Sequence, residues 1–112
     1  MNKVSRKAII RSAAFQHQGI SYTVSSTPLY IGKDKKVCNL LYKEGPAGVS
    51  GKHCELMYIA ERNEFVLKDL GSTHGTFLAS GRRLQSEIMY MLKSGDAFYI
   101  GSKPNMLVVE VV

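Results

Sequence analysis

Residues Asp69-Leu-Gly-Ser-Thr-His-Gly-Thr-Phe77 set two glycines and a Ser-Thr pair between apolar runs, and a shorter segment of similar character, Val49-Ser-Gly-Lys-His53, precedes them. Each segment puts a small hydroxyl residue, Thr73 or Ser50, in turn-forming sequence. Hydroxyls on a tight turn, with backbone N–H groups and lysines close by, suit a rigid surface loop that holds an oxyanion. Turns of this kind between short β-prone runs predict an all-β fold, and the flanking sequence agrees.

Outward from these turns, segments rich in Val, Ile, Tyr and Phe alternate with Gly, Pro, Ser, Asn and Asp clusters, the pattern of a sandwich or barrel. The spacing predicts strands near 7–15, 21–25, 29–33, 38–41, 54–60, 64–69, 76–78, 82–84, 96–100 and 105–112. Turns are expected at Gln18-Gly19, Thr27-Pro28, Gly45-Pro46, Arg62-Asn63, Ser80-Gly81, Ser94-Gly95 and Lys103-Pro104-Asn105. Residues 86–93 read as a loop with apolar anchors. Strand alternation puts Cys54, Leu56 and Tyr58 on one face and Glu55 and Met57 on the other. By the same parity Phe65 and Leu67 point inward with Val66 and Lys68 outward, while Phe98, Ile100, Leu107, Val109 and Val111 face the core.

The chain has 112 residues, 45% of them hydrophobic, enough for one domain with one core. An N-terminal extension is expected over 1–6 and the domain over 7–112, which suits a module of a longer protein. Fifteen Lys and Arg against nine Asp and Glu give a net charge of +6, favouring an anionic partner. No apolar stretch approaches the roughly 20 residues of a membrane-spanning helix. Lys3, Arg6, Lys7 and Arg11 interrupt any signal-peptide core, so a cytoplasmic setting is expected. The two cysteines, Cys38 and Cys54, then read as reduced, buried thiols rather than a disulfide.

Several chemistries fail on spacing. Gly45-Pro-Ala-Gly-Val-Ser-Gly-Lys52 is not a nucleotide-binding P-loop, because five residues separate Gly45 from Gly51 and His53 stands where Ser or Thr is needed. Ser50, His53 and Asp69 are the residue types of a hydrolytic triad, but nothing resembles a nucleophile elbow, and His53 reads as a brace for its loop. His17, His53, His74, Cys38 and Cys54 show no paired ligand spacing, so neither a metal nor another cofactor is expected. The basic residues are spread along the chain, and only Lys33, Lys35, Lys36 and Lys52 adjoin the hydroxyl turns. A cluster that short fits one phosphate group better than a nucleic-acid backbone.

Four segments in order, Tyr30-Ile-Gly-Lys33, Gly48-Val-Ser-Gly-Lys-His53, Leu67-Lys-Asp-Leu-Gly-Ser-Thr-His-Gly-Thr76 and Ser94-Gly-Asp-Ala-Phe-Tyr-Ile-Gly101, resemble the forkhead-associated (FHA) domain, a reader of phosphothreonine peptides. The resemblance runs from about residue 7 to residue 112. It implies an eleven-stranded β-sandwich of two twisted sheets (FHA/SMAD-like) with ligand loops at one end, and a binding module rather than an enzyme. Carried onto this chain, Ser50 and Thr73 would offer hydroxyls to the phosphothreonine, Gly51 a backbone N–H, and Lys33 and Lys52 positive charge. Gly32, His53, Asp69, Gly71, Ser72 and Gly75 would shape the site without touching the ligand.

Three positions depart from the family pattern. Lys33 stands where the family usually has Arg, which keeps the charge and loses the planar fork. Gly51 replaces a polar or basic residue, and His74 replaces the Asn that holds the peptide main chain. The implied partner is a phosphothreonine-containing protein or peptide, in trans or from the parent chain, with no nucleic acid and no membrane insertion, read by a monomeric domain. Bacterial members of the family commonly serve kinase signalling, secretion or cell-envelope regulation. The departures keep open a phosphorylation-independent interaction domain that uses another face.

Overall fold

The computed structural model describes residues 7–13, 20–42 and 49–112. The 1–6 extension, His17, Lys43, Gly48 and the turns at Gln18-Gly19 and Gly45-Pro46 lie outside the described residues. Among those described, the strands are β1 (Ala8–Ser12), β2 (Ser21–Thr23), β3 (Leu29–Gly32), β4 (Leu40–Leu41), β5 (Cys54–Ile59), β6 (Glu64–Asp69), β7 (Thr76–Leu78), β8 (Met89–Leu92), β9 (Ala97–Ile100) and β10 (Met106–Val111). They form two five-stranded sheets, ordered β2-β1-β10-β9-β7 and β4-β3-β5-β6-β8. This is the two-sheet sandwich that the resemblance implies. No helix among the described residues is long and apolar enough to cross a membrane.

The inner faces follow from parity. Cys54, Leu56, Phe65 and Leu67 of one sheet and Ile10, Phe98, Ile100, Leu107 and Val109 of the other are fully buried, and Tyr58 nearly so. Val111 packs against the same cluster from its edge. Burial of each large side chain stabilises the fold by about 1.5–3 kcal/mol. Cys38 and Cys54 are both buried free thiols. At the expected Arg62-Asn63 turn, Asn63 adopts a left-handed φ of 52° and accepts the Tyr58 hydroxyl at 2.5 Å.

The sequence reading and the structure differ in three places. Residues 86–93 are not all loop, because Met89–Leu92 is β8, paired with β6 in the register Lys68↔Met89 to Phe65↔Leu92. Its outward positions carry Met89 and Met91 instead of polar residues, so the period-2 alternation of polarity that marks a strand is missing. The strand expected at 82–84 reduces to one bridge, Phe77↔Arg83. Val66 has outward parity but is only 2% exposed, flanked in register by Met57 and Met91 on the neighbouring strands.

Candidate functional site

Sheet register brings the loops of interest to one end. Ile31 of β3 pairs with Cys54 of β5, and Cys54 pairs with Asp69 of β6. The chain leaving β3, the chain entering β5 and the chain leaving β6 therefore emerge side by side. These are the 33–39, 49–53 and 70–75 loops, which carry the residues singled out from sequence.

Gly32 lets the first two loops touch. A Cβ there would lie 2.2 Å from the Gly51 carbonyl oxygen and 2.8 Å from that of Ser50. The contact is made by hydrogen bonds. Lys33 N–H donates to the Gly51 carbonyl at 2.9 Å and to that of Ser50 at 3.2 Å. Asp34 N–H reaches the same Gly51 oxygen at 2.9 Å, and the Cys38 thiol donates to it at 3.1 Å.

His53, fully buried, joins the second loop to the third. Its Nδ1 accepts the Ser50 backbone N–H at 3.1 Å, which leaves the proton on Nε2 to be donated to the Gly75 carbonyl at 2.8 Å. Burial holds the imidazole pKa below its ordinary value, against the opposing pull of the Gly75 carbonyl and the Asp69 charge. A neutral ring with one donor and one acceptor is what this position requires.

Asp69 organises the third loop. Its carboxylate accepts five hydrogen bonds, from the backbone N–H groups of Gly71 and Ser72 and from the hydroxyls of Ser72, Thr76 and Ser86. Burial raises its pKa, but the hydroxyls of Ser72, Thr76 and Ser86 outweigh that and hold the carboxyl below the usual carboxylate range. The Ser72 oxygen also accepts the Gly75 N–H at 3.0 Å, closing a turn in which Gly75 takes a φ of +91°. A Cβ on Gly75 would lie 2.6 Å from Arg83 Nε.

The two hydroxyl turns meet directly, with Thr73 N–H donating to Ser50 Oγ at 3.1 Å. Thr73, His74, Gly51 and Lys52 are exposed, while Ser50 and Lys33 are half-buried. Lys52 adjoins the site, yet its Nζ rests 4.8 Å from the centroid of the Tyr30 ring, a cation–π contact that turns it aside. The structure thus brings Ser50, Gly51 and Thr73 together beside the Lys33 backbone and sets the buried Gly32, His53, Asp69, Ser72 and Gly75 beneath them, while Gly71 is exposed. The triad residue types share no triad geometry, because His53 spends its nitrogens on backbone and Asp69 binds hydroxyls. Among the described residues no three His, Cys, Asp or Glu side chains gather where a metal could bind.

Sequence reasoning missed Arg83. Its Nη2 donates to the Thr73 carbonyl at 3.3 Å, and the guanidinium carbon lies 5.9 Å from the Phe77 ring centroid. Only the return of the chain alongside β7, with Leu84 N–H donating to the Thr76 carbonyl at 2.8 Å, brings it here. No local motif announces that return.

A β-sandwich with braced hydroxyl turns at one end carries its candidate ligand groups on loops rather than on its sheets. The FHA domain family matches residues 29–101, and the chain belongs to that family. It is 30% identical over 99 residues to the human protein "Angiogenic factor with G patch and FHA domains 1", a match covering 86% of this chain and 14% of that protein. The solution structure of the FHA domain of an Arabidopsis thaliana hypothetical protein is similar with a TM-score of 0.77 at 22% identity, covering 100% of this chain and 94% of that one. The crystal structure of the MEK1 FHA domain in complex with a HOP1 phosphothreonine peptide gives a TM-score of 0.74 at 21% identity, covering 93% of this chain and 95% of that one.

Proposed function

We propose that this domain captures phosphothreonine in an extended segment of another protein, or of its own parent chain, as a cytoplasmic module of kinase-linked signalling or complex assembly. The observation that carries the reading is the 3.1 Å bond from Thr73 N–H to Ser50 Oγ, which joins the two hydroxyl turns into one surface. With its oxygen accepting from Thr73, the Ser50 hydroxyl keeps its proton to donate to a phosphate oxygen. Thr73 supplies a second hydroxyl, Gly51 a backbone N–H, and Lys33 positive charge. His74 takes up the peptide main chain, and Lys52 contributes at longer range. Charge-assisted bonds of this kind are worth about 1.5–3 kcal/mol each, so a few suffice for selective capture of a phosphate.

Calorimetry with a phosphothreonine peptide library and matched unphosphorylated peptides tests the proposal. Binding confined to phosphorylated members is the expected result, and equal binding by a folded domain would end it.

A second reading, phosphate-independent contact through another face, draws on the exposed methionines of β8, Met89 and Met91 at 66% and 42% exposure. It requires that Met89→Lys with Met91→Lys abolish partner capture while Ser50→Ala and Thr73→Ala leave it intact.

A further inference from the structure

We infer that β8 pairs along its free edge with β8 of a second copy of this chain, antiparallel about a twofold axis at Tyr90. The pairing is independent of the phosphothreonine reading, and it gives the β8 methionines of the second reading their occupant.

Four strands edge the two sheets, and three of them are guarded. β4 is two residues long, and β2 carries exposed Ser21 and Thr23. The chain returns along β7, where Leu84 N–H donates to the Thr76 carbonyl and Leu78 N–H to the Arg82 carbonyl. β8 has none of these protections. It reads Met89-Tyr-Met-Leu92, without charge or proline, and among the described residues it pairs with β6 alone. Such an edge is a template for another strand. Ile88, Met89 and Met91 make it an exposed apolar one.

The residues along this edge match their own reverse. Antiparallel residues that face each other lie on the same side of the sheet, so a continuous sheet requires positions of like parity to meet. An axis at Met89 would set Met91 against Glu87, and one at Met91 would set Met89 against Lys93. An axis at Tyr90 sets Met89 against Met91, Ile88 against Leu92 and Glu87 against Lys93, twice each by symmetry. Glu87 belongs to the outer side, with its Oε1 3.9 Å from Lys68 Nζ, and Lys93 follows β8 directly and is exposed. Each end of the joint therefore carries a carboxylate from one copy and an ammonium from the other.

β8 starts at the ligand end, since Glu87 N–H donates to the Asp69 carbonyl at 2.9 Å. The twofold axis turns the partner round. The two sets of hydroxyl turns then lie at opposite ends of the pair, and both stay open.

Sedimentation velocity over a concentration series tests the pairing. The wild-type mass should rise towards that of two chains as concentration increases. Glu87→Lys and Lys93→Glu each put like charges at both ends of the joint and should weaken association roughly tenfold. Mixed in equal amounts, these two variants should associate with each other as wild type does with itself, because every like pair becomes an opposite one. Met89→Lys with Met91→Lys should remain a single chain. Thermal melts establish that the variants are folded, and the charge reversals serve alone if the methionine variant is not. A wild type that stays a single chain at every concentration would overturn the pairing, as would association unmoved by the charge reversals or not recovered on mixing. Phosphopeptide binding by a single-chain wild type would overturn the pairing alone, and a dimer indifferent to phosphate would overturn the phosphothreonine reading alone.

Discussion

Thr73 and Ser50, 23 residues apart in sequence, are joined by a hydrogen bond from the backbone N–H of one to the side-chain oxygen of the other. The bond makes the Ser50 hydroxyl both a fastener between loops and a candidate ligand donor. Substitutions at this residue therefore test recognition and loop stability together.

Ser50→Ala removes the acceptor of an exposed N–H that water can satisfy. Its stability cost should stay within about 1 kcal/mol, while affinity for a phosphothreonine peptide falls at least tenfold. Denaturant melts and calorimetry on the same variant separate the two effects. A loss of affinity matched by a loss of fold would assign Ser50 to the scaffold instead.

Gly32→Ala acts through the backbone. Its methyl would sit 2.2 Å from the Gly51 oxygen, so the 33–39 and 49–53 loops must part. A destabilisation of about 1–3 kcal/mol is expected, together with loss of phosphopeptide binding. An unchanged melting temperature would mean that the loops yield more easily than their hydrogen bonds suggest.

Acid should weaken the fold in two stages. The folded-state pKa of His53 is lowered, so its contribution is complete above the unfolded value of about 6.5 and is lost as pH falls from there through the folded value. Asp69 is likewise lowered, so its contribution is complete above the unfolded value of about 3.9 and disappears as pH falls through the folded value. Urea midpoints between pH 7 and 5 should decline in wild type and decline less in a folded His53→Gln variant. Equal slopes would remove His53 as the cause.

The cysteines should resist alkylation in the native state. Burial raises the pKa of both thiols, most strongly that of Cys54. Mass spectrometry after iodoacetamide should find neither labelled quickly, with Cys38 reacting before Cys54 and both reacting at once in denaturant. Rapid native labelling of Cys54 would contradict its burial.

The sandwich and its inner faces were legible because strand parity puts Leu56, Phe65, Phe98 and Leu107 of β5, β6, β9 and β10 on the buried side, and because Gly, Asn and Pro mark the turns between them. β8 escaped notice because Met89 and Met91 fill positions where polarity would have reported the solvent side. In the site, Ser50, Thr73 and the bracing Asp69 could be read from local turn chemistry. Arg83 and Ser86 could not, since they reach the third loop only through tertiary return of the chain. The deflection of Lys52 depends on the Tyr30 ring of a neighbouring strand, a pairing that spacing along the chain does not encode.

One neutral imidazole spans the amide of Ser50 and the carbonyl of Gly75. The surface proposed to receive a ligand is consequently a mould cast during folding, so a chain captured there would surrender its own freedom while the protein surrendered little. For the capture proposed above, differences among guests would then fall on how long each stays rather than on how fast it arrives.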